Sequence, residues 1–334
     1  MLPAVPLLPH VAAPPGATAS LSSASASSPF AAASSPLAAV LGPTVGYGES
    51  LDRIRRLQAR DDATIQPVCR TVLYDHGRPT DLAVVLFHGF TNCPAQYALM
   101  ARKLHARGCN VLVPRYPEHG DVNRMTTRLE GLTAERITAA ASEAIEAARG
   151  LGRQLAISGL SLGGVLCAWL ATQRSDIDRI VSFAPALGIA ALPYPLNVFA
   201  AGLMRALPAS LYAWWNPALK EKITPSHAYP RYPVRTLGEC YLIGEWAIGA
   251  QAPLPGRGGT QVTFALNPRD PAVNNDVAVQ LSQHWNDSGM LSSSVAWLDG
   301  FPAMHDVVEP ENPHECIATC YPPLIDLIVG KPVE

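Results

Sequence analysis

Ser161 lies in Gly159-Leu160-Ser161-Leu162-Gly163, a G-x-S-x-G spacing that can present a serine hydroxyl for attack. An apolar run, Leu155-Ala156-Ile157, precedes it and a helical pattern, Val165 to Leu170, follows. A sharp strand-to-helix turn at this point holds Ser161 in a strained conformation above a sheet and leaves no room for side chains at Gly159 and Gly163. The same turn aims the first N–H groups of the helix at whatever Ser161 attacks. A serine alone is a weak nucleophile, so the chain must also supply a base, an acid to orient it and donors for an oxyanion.

Each has a candidate at the end of a strand-like run. His305, in Phe301-Pro302-Ala303-Met304-His305-Asp306, is the expected base. Its rivals His284 and His314 fall in or beside predicted helices. Asp270, in Leu266-Asn267-Pro268-Arg269-Asp270-Pro271, is placed to accept the Nδ1 proton of His305 and stabilise the imidazolium. It reads equally as the cap of a helix starting at Pro271, and the two roles are compatible. Asp276, inside that helix, and Asp299, in the turn after the last strand, are the alternatives. For the oxyanion, Leu86-Phe87-His88-Gly89-Phe90-Thr91 runs from an apolar strand into His-Gly. Gly89 frees the backbone to turn, so that the N–H of Phe90 can point at the same spot as that of Leu162. His88 reads as a hydrogen-bonder that fixes this loop. Cys93 reads as a buried structural thiol, with sensitivity to thiol reagents as its alternative. Cys316 and Cys320, one helical turn apart, read as core rather than as a disulfide or, with His314, a metal site.

Elements of the right kind surround these residues. Strands are expected at Cys69–Tyr74, Leu82–Phe87, Asn110–Val113, Gln154–Ile157, Ile180–Phe183, Val262–Leu266 and Val295–Leu298. Helices are expected at Ser50–Arg60, Pro94–Arg107, Thr133–Arg149, Pro271–His284 and Glu315–Val329. Such alternation predicts an α/β fold with a doubly wound, mostly parallel sheet, whose site lies at the carboxyl ends of the strands. The roughly 75 residues between Ala184 and Gln261 far exceed an ordinary connection. Their apolar and aromatic content, including Leu196, Phe199, Leu203, Trp214, Trp215 and Tyr241, predicts a cap over the site. Ile180 to Met204 carries no charge, but Pro185, Pro193 and Pro195 interrupt it and no membrane span is expected. The expected domains are a leader at 1–48, the core at 49–185 and 259–334, and the cap insertion at 186–258.

The leader has no Asp, Glu, Lys or Arg and is dominated by Ala, Ser and Pro, so it cannot build a core. It is expected to be disordered; a targeting segment and a start codon assigned too far upstream stay open. It lacks a basic n-region, so a cytoplasmic location is favoured over export. Among the 334 residues, 48% are hydrophobic and only 16% charged, enough for a sizeable core. A net charge of -2 and a pI of about 6.5 argue against nucleic acid as a partner. Seven cysteines without a C-x-x-C pair resemble neither a disulfide framework nor a zinc site.

Phe87-His88-Gly89-Phe90-Thr91, Val113-Pro114-Arg115-Tyr116-Pro117-Glu118-His119-Gly120, Gly159-Leu160-Ser161-Leu162-Gly163-Gly164, Asp270 and His305 occur in that order. Together they resemble the α/β-hydrolase superfamily, closest to its carboxylesterase and monoacylglycerol-lipase-like branch, over about Thr71 to Val329. The resemblance implies Ser161 as nucleophile, His305 and Asp270 as its partners, Phe90 and Leu162 as backbone oxyanion donors, and a cap formed by the long insertion. Where related chains commonly carry Gly-His-Gly, this one has Glu118-His119-Gly120. The expected function is hydrolysis of small-molecule carboxylic esters with an apolar acyl or aryl part, with no metal or organic cofactor. An acyltransferase or thioesterase on the same triad, and a non-catalytic hydrolase-like binding protein, are the alternatives. Dehalogenases and epoxide hydrolases use Asp where this chain has Ser161. The oligomeric state is not read from the sequence.

Overall fold

The computed structural model describes residues 45–190, 192–250 and 260–331. Most of the leader, 1–44, lies outside the described residues, but its last residues are helical, since α1 spans Tyr47–Gln58 and starts inside the stretch assigned to it. The strands in chain order are β1 Val72–Tyr74, β2 Thr80–Phe87, β3 Asn110–Val113, β4 Gly152–Leu160, β5 Arg179–Phe183, β6 Tyr212–Trp214, β7 Arg231–Pro233, β8 Gln261–Leu266 and β9 Ser293–Trp297. The remaining helices are α2 Ala98–Ala106, α3 Ala134–Ala148, α4 Leu162–Gln173, α5 Tyr194–Ala206, α6 Val234–Ile248, α7 Asn275–Asp287 and α8 His314–Val329.

Seven strands form one sheet in the order β1-β3-β2-β4-β5-β8-β9. All its pairs are parallel except β1 with β3, where Leu73 opposes Leu112. The reason for parallel pairing is visible in β2, whose Ala83 to Phe87 are all buried and apolar, as befits a strand covered on both faces. Alternate residues divide between two cores. Val85, Phe87, Ile157, Ile180 and Phe264 face the layer of α3, α4, α6 and α7. Val84, Leu86, Ala156, Val181 and Ala265 face the layer of α2 and α8.

The segment between β5 and β8 has two parts. Its first contains α5 and the antiparallel ribbon of β6 and β7. Its second, α6, buries Cys240, Ile243 and Ala247 in the same core as α4, so this helix covers the sheet as the crossover that a parallel β5–β8 connection requires. An insertion drawn at 186–258 therefore takes in a helix of the core layer. On α5 the apolar residues expected over the site face solvent instead: Leu196, Phe199 and Leu203 are exposed. Trp215 and Tyr241 do face the site. Arg124 gathers the turn after β6, its Nε donating to the Ala228 carbonyl at 2.7 Å and Nη2 to that of Ile223 at 2.9 Å.

Cys93 is not a free thiol. It forms a disulfide with Cys69, joining the turn before β1 to the loop after β2. Cys316 and Cys320 are buried with their sulfurs 3.9 Å apart and unbonded. Among the described residues no helix is long and apolar enough to cross a membrane.

Candidate active site

Ser161 occupies the turn between β4 and α4 with φ 59° and ψ −112°, a conformation that an L-residue holds only when its surroundings compel it. Those surroundings are close-packed. A Cβ at Gly159 would overlap the Gly163 backbone, and one at Gly163 would overlap the Phe87 carbonyl oxygen. Backbone bonds complete the restraint: Ser161 N–H donates to the Phe183 carbonyl at 3.1 Å, and its own carbonyl accepts from Val165 N–H at 2.9 Å. Gly163→Ala should therefore lower unfolding free energy by about 3 kcal/mol, the upper end of ordinary overpacking. A urea titration checks this, and a loss below about 1 kcal/mol would show that the elbow yields.

His305 and Asp270 meet as the sequence suggests. His305 Nδ1 and Asp270 Oδ2 are 2.7 Å apart, with the Asp270 side chain fully buried and that of His305 23% exposed. With Nδ1–H donating to the carboxylate, Nε2 is left as the acceptor. The loops are pinned from outside. Asn267, directly after β8, donates through Nδ2 to the carbonyls of Pro302 at 2.8 Å and Met304 at 3.0 Å, which fixes the chain entering His305. Asp270 does not cap a helix, because α7 starts at Asn275 and its cap is Asn274, which accepts from Asp276 N–H. Asp270 Oδ1 instead accepts from Ala272 N–H at 2.8 Å. Asp276 lies in the first turn of α7, and neither it nor Asp299 lines the cavity below. His284 is in α7 and His314 begins α8, and neither of them lines it.

Ser161, Leu162, Phe90 and His305 line one cavity of about 580 Å³. No hydrogen bond joins Ser161 Oγ to His305 among the described contacts; in substrate-free sites such contacts are commonly long. Leu162 is the first residue of α4, where backbone N–H groups have no partner within the helix. Phe90 N–H likewise gives no hydrogen bond among the described residues.

The role expected of Gly89 is corrected. It has no left-handed φ, and a Cβ there would find its nearest neighbour, Gln96 Nε2, at an ordinary 3.5 Å. The left-handed residue is Thr91, with φ 65°. What shapes the loop is a polar frame that the sequence does not advertise. Gln96 accepts from Gly89 N–H at 2.7 Å and donates to Asp306 Oδ2 at 2.7 Å, linking the Phe90 loop to the His305 loop. Burial, followed by the charge of Glu309, moves the Asp306 carboxyl upward from its ordinary range. Thr91 N–H donates to His119 Nε2 at 3.3 Å, while His119 Nδ1 donates to the Pro117 carbonyl at 2.9 Å. Burial lowers His119 to about 4, so it is neutral and can accept. His88 is likewise held neutral, by burial first and His119 second; its Nδ1 donates to the Gly89 carbonyl at 2.9 Å. Both histidines thus hold the loop. At Glu118, where related chains commonly carry Gly, φ is 64°, the backbone region that glycine fills without strain.

The segment after β5 closes the cavity. Trp215 Nε1 donates to Thr91 Oγ1 at 2.8 Å and Tyr229 N–H to the Thr91 carbonyl at 2.9 Å. Trp215, Ile223, Pro225, Leu237 and Tyr241 form much of an apolar wall, with Asp306, Glu309 and Glu311 also in the lining and no Lys or Arg among the described lining residues.

Comparison with known proteins agrees with this fold. The family described as serine aminopeptidase, S33, matches residues 78–234, a stretch that contains the elbow and stops before Asp270 and His305. No curated protein matches the chain in sequence. Among solved structures, the monoacylglycerol lipase of Paleococcus ferrophilus is similar with a TM-score of 0.58 and 19% identity, over 78% of this chain and 97% of that one. A soluble variant of the Saccharomyces cerevisiae monoglyceride lipase, in complex with a substrate analog, gives 0.59 and 14%, over 79% and 92%. A structure from the work on the metagenome-derived lipolytic enzymes LipS and LipT gives 0.54 and 20%, over 73% and 92%. The chain has the fold of these lipases, and its residues 78–234 match the serine aminopeptidase, S33, family.

Proposed function

We propose that this chain hydrolyses uncharged carboxylic esters with an apolar acyl or aryl part through an acyl-enzyme on Ser161. The observation that carries the reading is the 2.7 Å contact of His305 Nδ1 with the buried Asp270 carboxylate, at the wall of the cavity that Ser161 opens into. His305 Nε2 takes the Ser161 proton as Oγ attacks the ester carbonyl. The tetrahedral oxyanion lies between the N–H groups of Phe90 and Leu162. His305 then protonates the departing alcohol, and a water molecule activated by the same nitrogen releases the acid.

Substrate class follows from the walls. The apolar lining suits a hydrocarbon part, and its three carboxylates, without a basic residue beside them, disfavour an anionic one. The segment from β5 to α6 acts in this reading as a cap that selects the substrate.

A p-nitrophenyl ester series tests it. Each methylene buried is worth about 0.8 kcal/mol at most, so kcat/KM should rise about tenfold or more from acetate to hexanoate. A flat profile across chain length would remove the apolar pocket from the reading.

A further inference from the structure

Beside the active-site cavity, in a neighbouring one that shares Glu309 and Glu311 with it, His227 and Glu309 face each other in a way the acyl chemistry does not use. Both are more than nine-tenths buried, at 7% and 4% exposure. His227 Nε2 and Glu309 Oε2 are 3.3 Å apart, yet neither atom makes a hydrogen bond. A carboxylate oxygen left in this state is costly. Neither Glu309 nor Glu311 is paired with Lys or Arg among the described residues. Glu311 is exposed, and one ligand atom from each of His227, Glu309 and Glu311 lies within 4.8 Å of the other two.

We propose that His227, Glu309 and Glu311 bind a divalent transition-metal cation, for which zinc is the best-matched probe. Two ligands each about 2.1 Å from a tetrahedral zinc stand roughly 3.4 Å apart, close to the separation of the two buried atoms. One imidazole with two carboxylates is a nitrogen and oxygen donor set that suits zinc better than the all-oxygen cages of calcium or magnesium. Rotation of the exposed Glu311 side chain brings in the third ligand. The histidine is fixed from behind: Gln66 Nε2 donates to its carbonyl at 3.3 Å, and Cys69 of the disulfide lies beside the same oxygen. The cation fastens the turn that carries Pro225 and Ala228 to the loop that follows His305. It takes no part in acyl transfer, so the test below reads metal binding and not esterase activity.

Tag-free full-length protein, stripped with a chelator and dialysed, is titrated with zinc by calorimetry, and bound metal is counted by mass spectrometry. One equivalent should bind. Glu309→Gln and Glu311→Gln should each weaken binding by at least tenfold, and zinc should raise the unfolding temperature of the wild type but not of either variant. Glu311 is exposed, so its variant keeps the test valid if the buried substitution disturbs folding, as circular dichroism would show. Absence of bound zinc in the wild type overturns the proposal, as does binding that both variants retain, or saturable preference for calcium or magnesium.

Discussion

Ser161→Ala should lower kcat by about 10⁴-fold or more while leaving the folded structure in place. The substitution removes only Oγ from a turn whose geometry is dictated by neighbours: the Gly159–Gly163 contact, the Phe183 carbonyl and the start of α4. The covalent step is then lost, while the cavity and the two N–H donors remain. A fluorophosphonate probe gives a readout that does not depend on knowing the ester. It should label the wild type, and neither Ser161→Ala nor His305→Ala. Wild-type protein that is folded but unlabelled would favour a non-catalytic hydrolase-like binding protein, and turnover retained in purified Ser161→Ala would remove this serine as nucleophile.

Asp270→Asn should cost a similar factor, about 10⁴ in kcat, for a different reason. Asn has nearly the same shape, but its amide can donate to Nδ1 of His305 and so move the imidazole proton to Nε2. The nitrogen that the proposed mechanism assigns to accept the Ser161 proton then already carries one, and the imidazolium loses its charge partner. Because the Asp270 side chain is fully buried, water cannot restore either function. Steady-state kinetics with a p-nitrophenyl ester measures this. A loss below about tenfold would mean that another acid orients His305.

The parts of this architecture that were legible in the sequence share a physical cause. A short unbroken apolar run such as Ala83 to Phe87, rich in Val and Leu and bounded by turns, suits a strand covered on both faces, and β3 spans the expected Asn110–Val113. The elbow announces itself because close backbone approach leaves Gly as the only residue at 159 and 163. The same logic misled at Gly89, where a glycine follows a strand without steric need and the left-handed turn falls on Thr91. Cys69 and Cys93 are 24 residues apart, and only the tertiary fold brings them together. Apolar content alone could not tell which way α5 faces, and its Phe199 points to solvent. Asn267 and His119 act on backbone atoms of distant loops and Gln96 ties the nearby Gly89 N–H to the distant Asp306 carboxylate, roles that side-chain chemistry and spacing leave unmarked.

On the function proposed above, no residue of the segment between β5 and α6 supplies a group to the bond-making chemistry, yet Trp215, Ile223 and Pro225 stand in the cavity wall. Inheritance can therefore act on the two separately. A lineage of such chains can change its diet by substitutions in that one stretch while the elbow, the oxyanion loop and the histidine loop stay as they are. Descendants would diverge fastest in the segment that meets the substrate and slowest in the turn that attacks it. A mutagenesis library confined to residues 211–230, with Trp215 and Tyr229 spared because they hold the Thr91 loop and His227 because it faces Glu309, would explore new esters with least risk to the reaction itself.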